Sequence, residues 1–195
     1  PTAILKALGK SAEERRLLVW SVHPSEQAEL SGTPLAGELP DTTGPFVALV
    51  LRNTSGDKRD YYLERKLDYR VLSCSGNTQM VQITATLTNT APAPGLPTYV
   101  TARADGRRVP VGQDRVNVSI YATHRSKLKL ARLNLVKPTV HETAERGLAA
   151  YDLDVELPVG ERQILQLTLD QPISTQPVRY LIQPLAKPLL FTAKA

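Results

Sequence analysis

The sequence predicts a mostly-β protein, an antiparallel β-sandwich that is immunoglobulin-like in the broad sense, with a short helical N-terminal segment. Two observations support this fold class. About eight short segments with β character are separated by turn signals, and hardly any helical pattern follows Leu30. In the plainest of these segments, Val81, Ile83, Ala85 and Leu87 alternate with polar residues, as in a half-buried antiparallel strand. The chain has one Cys and one Trp, so it lacks the cysteine–tryptophan–cysteine signature of true immunoglobulin domains.

The other predicted strands follow the same period-two pattern. We place the strands at 46–51, 62–72, 81–88, 116–121, 127–136, 151–157, 165–169 and 178–183, with a Pro-rich tail after the last. The segments 151–157 and 165–169, joined by the tight turn Pro158-Val159-Gly160-Glu161, are predicted to form a hairpin. The strand 127–136 should turn Leu128, Leu130 and Leu133 inward. The predicted core residues are Val81, Ile83, Leu87, Leu153, Val155, Leu165 and Leu167.

The N-terminal part carries helix signals instead. Ser11 followed by Glu14 resembles a capping box, which predicts a helix beginning there with Leu17, Leu18 and Trp20 on its apolar face. Pro24 interrupts that helix and can begin a second one. Residues 31–45 are rich in Gly, Pro and Thr, which is typical of a connection. We therefore expect two parts: residues 1–44, the tail of a missing upstream domain, and residues 45–195, the sandwich.

The sequence has an excess of basic residues, and many of them lie in one stretch of the chain. The net charge is +5, and the basic residues are densest in and after a Gly- and Pro-punctuated loop. Aromatic residues make up 5% of the chain, too few for a platform that stacks single-stranded bases, so nucleic acid is not an expected partner. An anionic envelope polymer remains a candidate partner, and a plain solvated surface is the alternative. The candidate binding residues are Arg103, Arg107, Arg108, Arg115 and Tyr99.

Catalytic and metal-binding patterns are not found in the sequence. His23, His124 and His141 stand apart, without a second ligand at zinc spacing. A nucleophile elbow and a phosphate-binding Gly-rich loop are also missing. The stretch 53–60 is too short and too basic for a calcium loop, so it is interpreted as a hairpin turn. We predict a protein that is not an enzyme, has no metal site and needs no cofactor, with Cys74 a passive cysteine.

Targeting and membrane-spanning segments are not recognisable in the sequence. No apolar run approaches the roughly 20 residues that span a bilayer, and no signal peptide is recognisable. The chain begins Pro1-Thr2-Ala3, without an initiator Met, and a helix-like segment follows at once. We therefore expect a piece of a longer protein, with any anchor or targeting signal upstream of it.

Several phrases resemble one known family. They are Glu14-Arg15-Arg16-Leu17, Val19-Trp20-Ser21, 35–40 (LAGELP), Asp57-Lys58, 60–63 (DYYL), 87–92 (LTNTAP) and 95–100 (GLPTYV). The chain resembles, over nearly its whole length, the C-terminal portion of the domain-of-unknown-function 4012 family, common in actinobacteria. The resemblance implies a single-pass, membrane-anchored envelope protein whose bulk lies outside the membrane. It also implies an upstream α/β domain loosely similar to LytR-CpsA-Psr glycopolymer transferases. It carries over no functional residue.

The sequence features and the family resemblance leave three candidate functions. The first is a non-catalytic, extracytoplasmic accessory module that packs against the upstream domain of the same protein. The second is a carbohydrate-binding module for an envelope glycan, with Tyr61, Tyr99, Tyr121 or Tyr151 as sugar platforms. The third, an enzyme with its site in this chain, has almost no support in the sequence.

Overall fold

The computed structural model of the chain describes residues 2–92 and 94–194. The helices are α1 (Thr2–Glu13), α2 (Pro24–Leu30) and α3 (Thr98–Thr101), with 3-10 turns at Pro34–Ala36 and Arg59–Tyr62. The strands are β1 (Phe46–Asn53), β2 (Leu63–Ser75), β3 (Thr78–Asn89), β4 (Asp114–His124), β5 (Lys127–Leu133), β6 (His141–Glu145), β7 (Leu148–Leu157), β8 (Arg162–Pro172), β9 (Arg179–Ile182) and β10 (Leu189–Lys194).

These strands form two five-stranded sheets packed as a sandwich, which confirms the predicted fold class. The first sheet has the order β6-β7-β4-β1-β9, and the second has the order β10-β2-β3-β8-β5. Pairing is antiparallel except at one edge of each sheet, where β9 runs parallel to β1 and β10 runs parallel to β2. Both parallel strands lie on the same flank of the sandwich, since Tyr180 of β9 and Phe191 of β10 stack with ring centroids 4.1 Å apart.

The core lies between the sheets and follows the alternation in the sequence. All seven core residues predicted from the sequence are buried. They meet partners from both sheets in one cluster, in which Leu167 is fully buried. The polar residues between them face outward, so burial of one face fixes the register of each strand.

The predicted hairpin of 151–157 with 165–169 is wrong. β7 belongs to the first sheet and β8 to the second, so the chain changes sheets at the turn 158–161. Asn89, at the end of β3, holds this corner, because its side-chain amide donates to the carbonyl oxygen of Leu157 (2.8 Å) and its backbone oxygen accepts from Gly160 N (2.9 Å). An alternating strand has one buried face whether its neighbour in sequence pairs beside it or crosses over, so the pattern alone did not distinguish the two.

Two further differences concern β5 and the C-terminal tail. Leu130 was expected to point inward but is exposed, because a register irregularity between Leu128 and Leu130 places Ala131 in the core instead. The predicted last strand corresponds to β9, but the tail continues as β10. The segment 183–188 crosses from one sheet to the other between them.

The N-terminal helix lies earlier than predicted. α1 ends at Glu13, so Ser11 lies in its last turn rather than at an N-cap. The amide of Arg16 donates to the carbonyl oxygen of Ser11 (2.8 Å), and Arg15 takes a left-handed conformation with φ 57° that ends the helix. The Ala, Leu and Lys residues of 3–10 favour helix strongly, which explains the shift. Leu17, Leu18 and Trp20 therefore follow the helix instead of forming its apolar face.

Candidate functional site

The stretch 53–60 connects the two sheets and is not a hairpin turn. It runs from β1 of the first sheet to β2 of the second and brings a compact set of polar side chains into the interior. Asp57 and Arg59 form an ion pair in which both side chains are buried. Ser55 Oγ lies 2.7 Å from Asp57 Oδ2 and 2.7 Å from Oδ1 of Asp114, which begins β4. We call Asn53, Ser55, Asp57, Arg59, Asp60 and Asp114 the polar cluster.

The carboxylates of the polar cluster differ in their electrostatic setting. Burial alone would raise the pKa of Asp57, but hydrogen bonds from Arg59 and Ser55 outweigh it and lower the pKa below the usual value. Burial raises the pKa of Asp114 and of Asp60, and the negative charge of Asp57 adds to both shifts. The single hydroxyl proton of Ser55 serves only one acceptor at a time, although Asn53 Oδ1, Asp57 Oδ2 and Asp114 Oδ1 all lie within hydrogen-bond distance of its Oγ. Within the polar cluster, the pKa of Asp57 is therefore lowered, whereas the pKa values of Asp60 and Asp114 are raised.

The described residues contain neither a metal-binding group nor a spanning helix. Within 2–92 and 94–194, no three His, Cys, Asp or Glu side chains are arranged to hold a metal ion. Over the same residues, no helix is both long enough and apolar enough to cross a membrane. Cys74 is a free, exposed cysteine in β2.

The four arginines predicted as a binding patch lie at the same end of the sandwich as the polar cluster. Arg103 pairs with Asp105, and the ion pair lowers the pKa of Asp105 to about 2. Arg107 lies 2.9 Å and Arg115 3.6 Å from Glu156, and Arg115 also pairs with Asp154. Arg108 is exposed. Carboxylates of β7 and of the loop therefore balance much of the positive charge that the sequence suggested.

The tyrosines considered as sugar platforms divide into two groups. Tyr151 is buried and donates to the carbonyl oxygen of Ser126, so it cannot serve as a platform. Tyr121 is half-buried and donates to Glu145 (2.7 Å). Tyr99 is 69% exposed, with the Lys58 ammonium 5.3 Å from its ring centroid, and Tyr61 is exposed as well. The exposed pair lies on the two segments that hydrogen bond through Lys58 N and Val100 O (3.1 Å).

A groove of about 630 Å³ lies on the flank where β9 and β10 meet. Its walls are the residues after α1, the strand β9 and the crossing segment 183–188. The side chain of Arg16 donates to the carbonyl oxygen of Leu185 (3.2 Å) and so ties the N-terminal segment to the crossing segment. The apolar lining includes Phe46, Tyr180, Leu181, Leu185 and Leu189.

Arg65 of β2 lines this groove and is 2% exposed. Its guanidinium donates to the carbonyl oxygens of Gln183 (3.2 Å) and Lys187 (2.9 Å), which holds the crossing segment in place. Among the described residues, Arg65 has no carboxylate within ion-pairing distance and its Nε has no hydrogen-bond partner. Burial lowers the pKa of Arg65 accordingly. Sequence reasoning missed this residue, although its position between Leu63 and Leu67 on an alternating strand marks it as an inward-facing charge.

The N-terminal segment presents the largest run of exposed apolar side chains. Every residue of α1 is exposed or half-exposed. Ile4, Leu5 and Leu8 lie on one face of the helix and are exposed, with Leu5 at 67%. Beyond the helix, Leu18, Val19, Trp20 and Val22 are exposed too, with Trp20 at 74%. We call residues 4–22 the N-terminal apolar surface.

Comparisons with known proteins identify no close relative. Neither a protein-family model nor a curated protein matches the chain. A Legionella pneumophila protein whose name proposes nutrient binding matches with 8% identity and a TM-score of 0.41, over 72% of this chain and 49% of that chain. An M1 zinc metallopeptidase from Deinococcus radiodurans matches with 14% identity and a TM-score of 0.29, over 56% of this chain and 20% of that chain. The chain thus spans about half the length of the first protein and a fifth of the second.

Proposed function

We propose that the chain is a non-catalytic interaction module of a larger, membrane-anchored cell-envelope protein, and that its N-terminal apolar surface docks onto another domain of that protein. One observation supports this proposal: large apolar side chains along α1 and the segment after it face outward, whereas the core cluster between the two sheets is buried. Exposed apolar side chains that gather into a patch mark interaction sites on protein surfaces.

The helix itself also favours a partner. α1 has 12 residues, and helices of that length are marginal in water unless an apolar face is packed. Ile4, Leu5 and Leu8 share one face, whereas Lys6 and Lys10 lie on the opposite face. This division into an apolar and a basic face is the pattern of a helix that packs on one side and meets solvent on the other.

The envelope location and the docking partner follow from the family resemblance described above. In that family the resembling portion lies outside the membrane, behind an upstream α/β domain. A docking helix at the start of this portion would meet that domain directly. The polar cluster fits a structural role within the module, because its carboxylates bind Arg59 and Ser55 of the chain itself.

A pair of charge-matched variants tests the docking surface. Leu5→Glu combined with Leu8→Glu should weaken association of the chain with the rest of the encoded protein by tenfold or more, since it places two carboxylates in an apolar contact. The matched control is Lys6→Glu, which changes the net charge by the same amount on the opposite face of α1. Affinity is measured by isothermal titration calorimetry with the two parts as separate polypeptides.

Equal weakening by both variants would show that charge, rather than the apolar face, governs association, and would contradict the proposal. Unchanged affinity of the double Leu variant would contradict it as well. Sedimentation of the chain alone should show a monomer, because the proposed occupant of the surface is another domain and not a second copy.

Glycan binding is the alternative function, and the exposed pair Tyr61 and Tyr99 favours it. Two exposed rings at one end can stack on a sugar. A glycan array probed with the chain and with Tyr99→Ala tests this function. Binding that is lost in the variant and is insensitive to salt would support the sugar platform over attraction of an anionic polymer to Arg107 and Arg108.

A further inference from the structure

The groove on the β9–β10 flank carries positive charge that the chain does not balance. Five cationic side chains and two carboxylates line it: Arg15, Arg16, Arg65, Arg179 and Lys187 against Glu13 and Glu14. Arg16 pairs with Glu14 (3.0 Å), and Lys187 pairs with Glu64 outside the groove (2.9 Å). Among the described residues, Arg15, Arg65 and Arg179 have no carboxylate partner, so the charged side chains that line the groove carry a net positive charge.

Arg65 is the unusual member of this set. A buried guanidinium that makes only neutral hydrogen bonds is costly, because burial removes its hydration without supplying an opposite charge. Its two bonds go to carbonyl oxygens of the crossing segment, and its Nε is unpartnered among the described residues. An oxyanion in the groove would supply the missing charge in a setting where solvent screens it weakly.

The rest of the lining fits an organic body attached to that oxyanion. Phe46, Leu181, Leu185 and Leu189 provide apolar surface, and Tyr180 adds an aromatic ring that is supported by its stack on Phe191. The volume of about 630 Å³ falls within the range of small-molecule sites in proteins. A mostly apolar groove with a few convergent polar groups is the usual form of such sites.

We propose that this groove binds a small organic anion, a carboxylate or a phosphate ester with an aromatic or alkyl body, and that the lining arginines without a carboxylate partner, Arg65 and Arg179 among them, supply the opposite charge. This site borders the docking surface, because residues 13–16 line the groove and also belong to the N-terminal apolar surface, but the proposal does not depend on the proposed function. The groove differs from the predicted patch at Arg103–Arg115, where Arg103, Arg107 and Arg115 already pair with carboxylates of the chain.

Three matched probes test the groove: 2-naphthoate, 2-naphthyl phosphate and the neutral 2-naphthamide. Titration of the isotope-labelled chain should shift the amide resonances of Phe46, Leu181 and Leu189 with either or both anions and not with the amide. A response to naphthoate alone identifies a carboxylate ligand, and a response to naphthyl phosphate alone identifies a phosphate ester. No shift at these residues with either anion, or equal binding of the amide, would overturn the proposal.

Arginine variants test whether the binding of the anion depends on the charge of the groove. Arg179→Ala should weaken binding of the responding anion about tenfold, because it removes one of the cationic side chains that line the groove. The matched control is Arg132→Ala on β5, an exposed arginine at the opposite edge of the second sheet, which should leave the affinity unchanged. Arg65→Met can disturb the crossing segment, so Arg179→Ala and the resonance map are decisive. Equal affinities of the Arg179 and Arg132 variants would contradict the assignment.

Discussion

Replacing Asp57 with Asn is expected to lower the free energy of unfolding by about 3–5 kcal/mol at neutral pH. The change removes the negative charge but keeps the shape, so Arg59 remains buried at 1% exposure without its counter-ion. The Nε of Arg59 already lacks a hydrogen-bond partner among the described residues. The guanidinium therefore has few other polar contacts once the charge of Asp57 is removed. Denaturant unfolding followed by circular dichroism measures the effect, because the one tryptophan, Trp20, lies outside the sandwich core.

The pH dependence and a neighbouring variant serve as controls for Asp57. The folded-state pKa of Asp57 is lowered, so its contribution is present above the unfolded pKa of about 3.9 and is lost as the pH falls through the folded value. The difference between wild type and Asp57→Asn should therefore shrink below about pH 4. Asp114→Asn should cost less than about 1.5 kcal/mol, because Asp114 has no ion-pair partner among the described residues and an Asn oxygen can still accept from Ser55 Oγ and Arg115 N. Equal costs for the two variants would contradict the assignment of Asp57 as the ionised partner.

Replacing Leu167 with Ala is expected to cost about 2–5 kcal/mol of unfolding free energy. Leu167 lies in the middle of β8, is 0% exposed, and pairs with Ile83 on one side and Ala131 on the other. Truncation leaves a cavity between the sheets that neighbouring strands can fill only partly. The melting temperature of Leu167→Ala, measured by scanning calorimetry, should be lower than that of the wild type.

The surface residue Leu135 supplies the matched control for this cavity. It is 96% exposed, so Leu135→Ala removes the same atoms from a site that buries almost nothing. Its effect should stay within about 0.5 kcal/mol. A cost for Leu167→Ala as small as that for Leu135→Ala would show that β8 does not face the core.

The inward and outward residues of the strands could be predicted from the sequence because burial of one face imposes period two. The assignment of strands to sheets could not. β7 and β8 carry the same alternation, yet they lie in opposite sheets, and the contact of Asn89 with Leu157 that holds their corner spans a separation of 68 residues. The alternation of residues along one segment cannot indicate a contact between segments so far apart in the sequence.

The candidate sites also contain features that could be predicted from the sequence and features that could not. Arg115 and Glu156 are opposite one another across β4 and β7, so their ion pair depends on strand register rather than on composition. The polar cluster needs Asp114 beside Ser55, a pairing that the turn signals around 53–60 do not indicate. Arg65 was accessible to sequence reasoning, because a charge at an inward position of an alternating strand requires an explanation.

The N-terminal helix was misplaced for a related reason. Ser11 and Glu14 match a capping box, but the pattern does not say whether a helix begins there or has just ended. The helix-favouring residues before Ser11 decided the outcome. The resulting exposure of Ile4, Leu5 and Leu8 is the basis of the proposed docking role.

Hydrogen–deuterium exchange of the α1 amides tests this docking role most directly, measured in the chain alone and in the longer protein that the proposal requires. In the chain alone, residues 4–13 should exchange rapidly, because a short unpacked helix opens readily, while amides of β3 exchange slowly and serve as the internal reference. In the longer protein, the α1 amides should slow by tenfold or more relative to that reference. Equally rapid exchange of α1 in both samples would contradict the docking role.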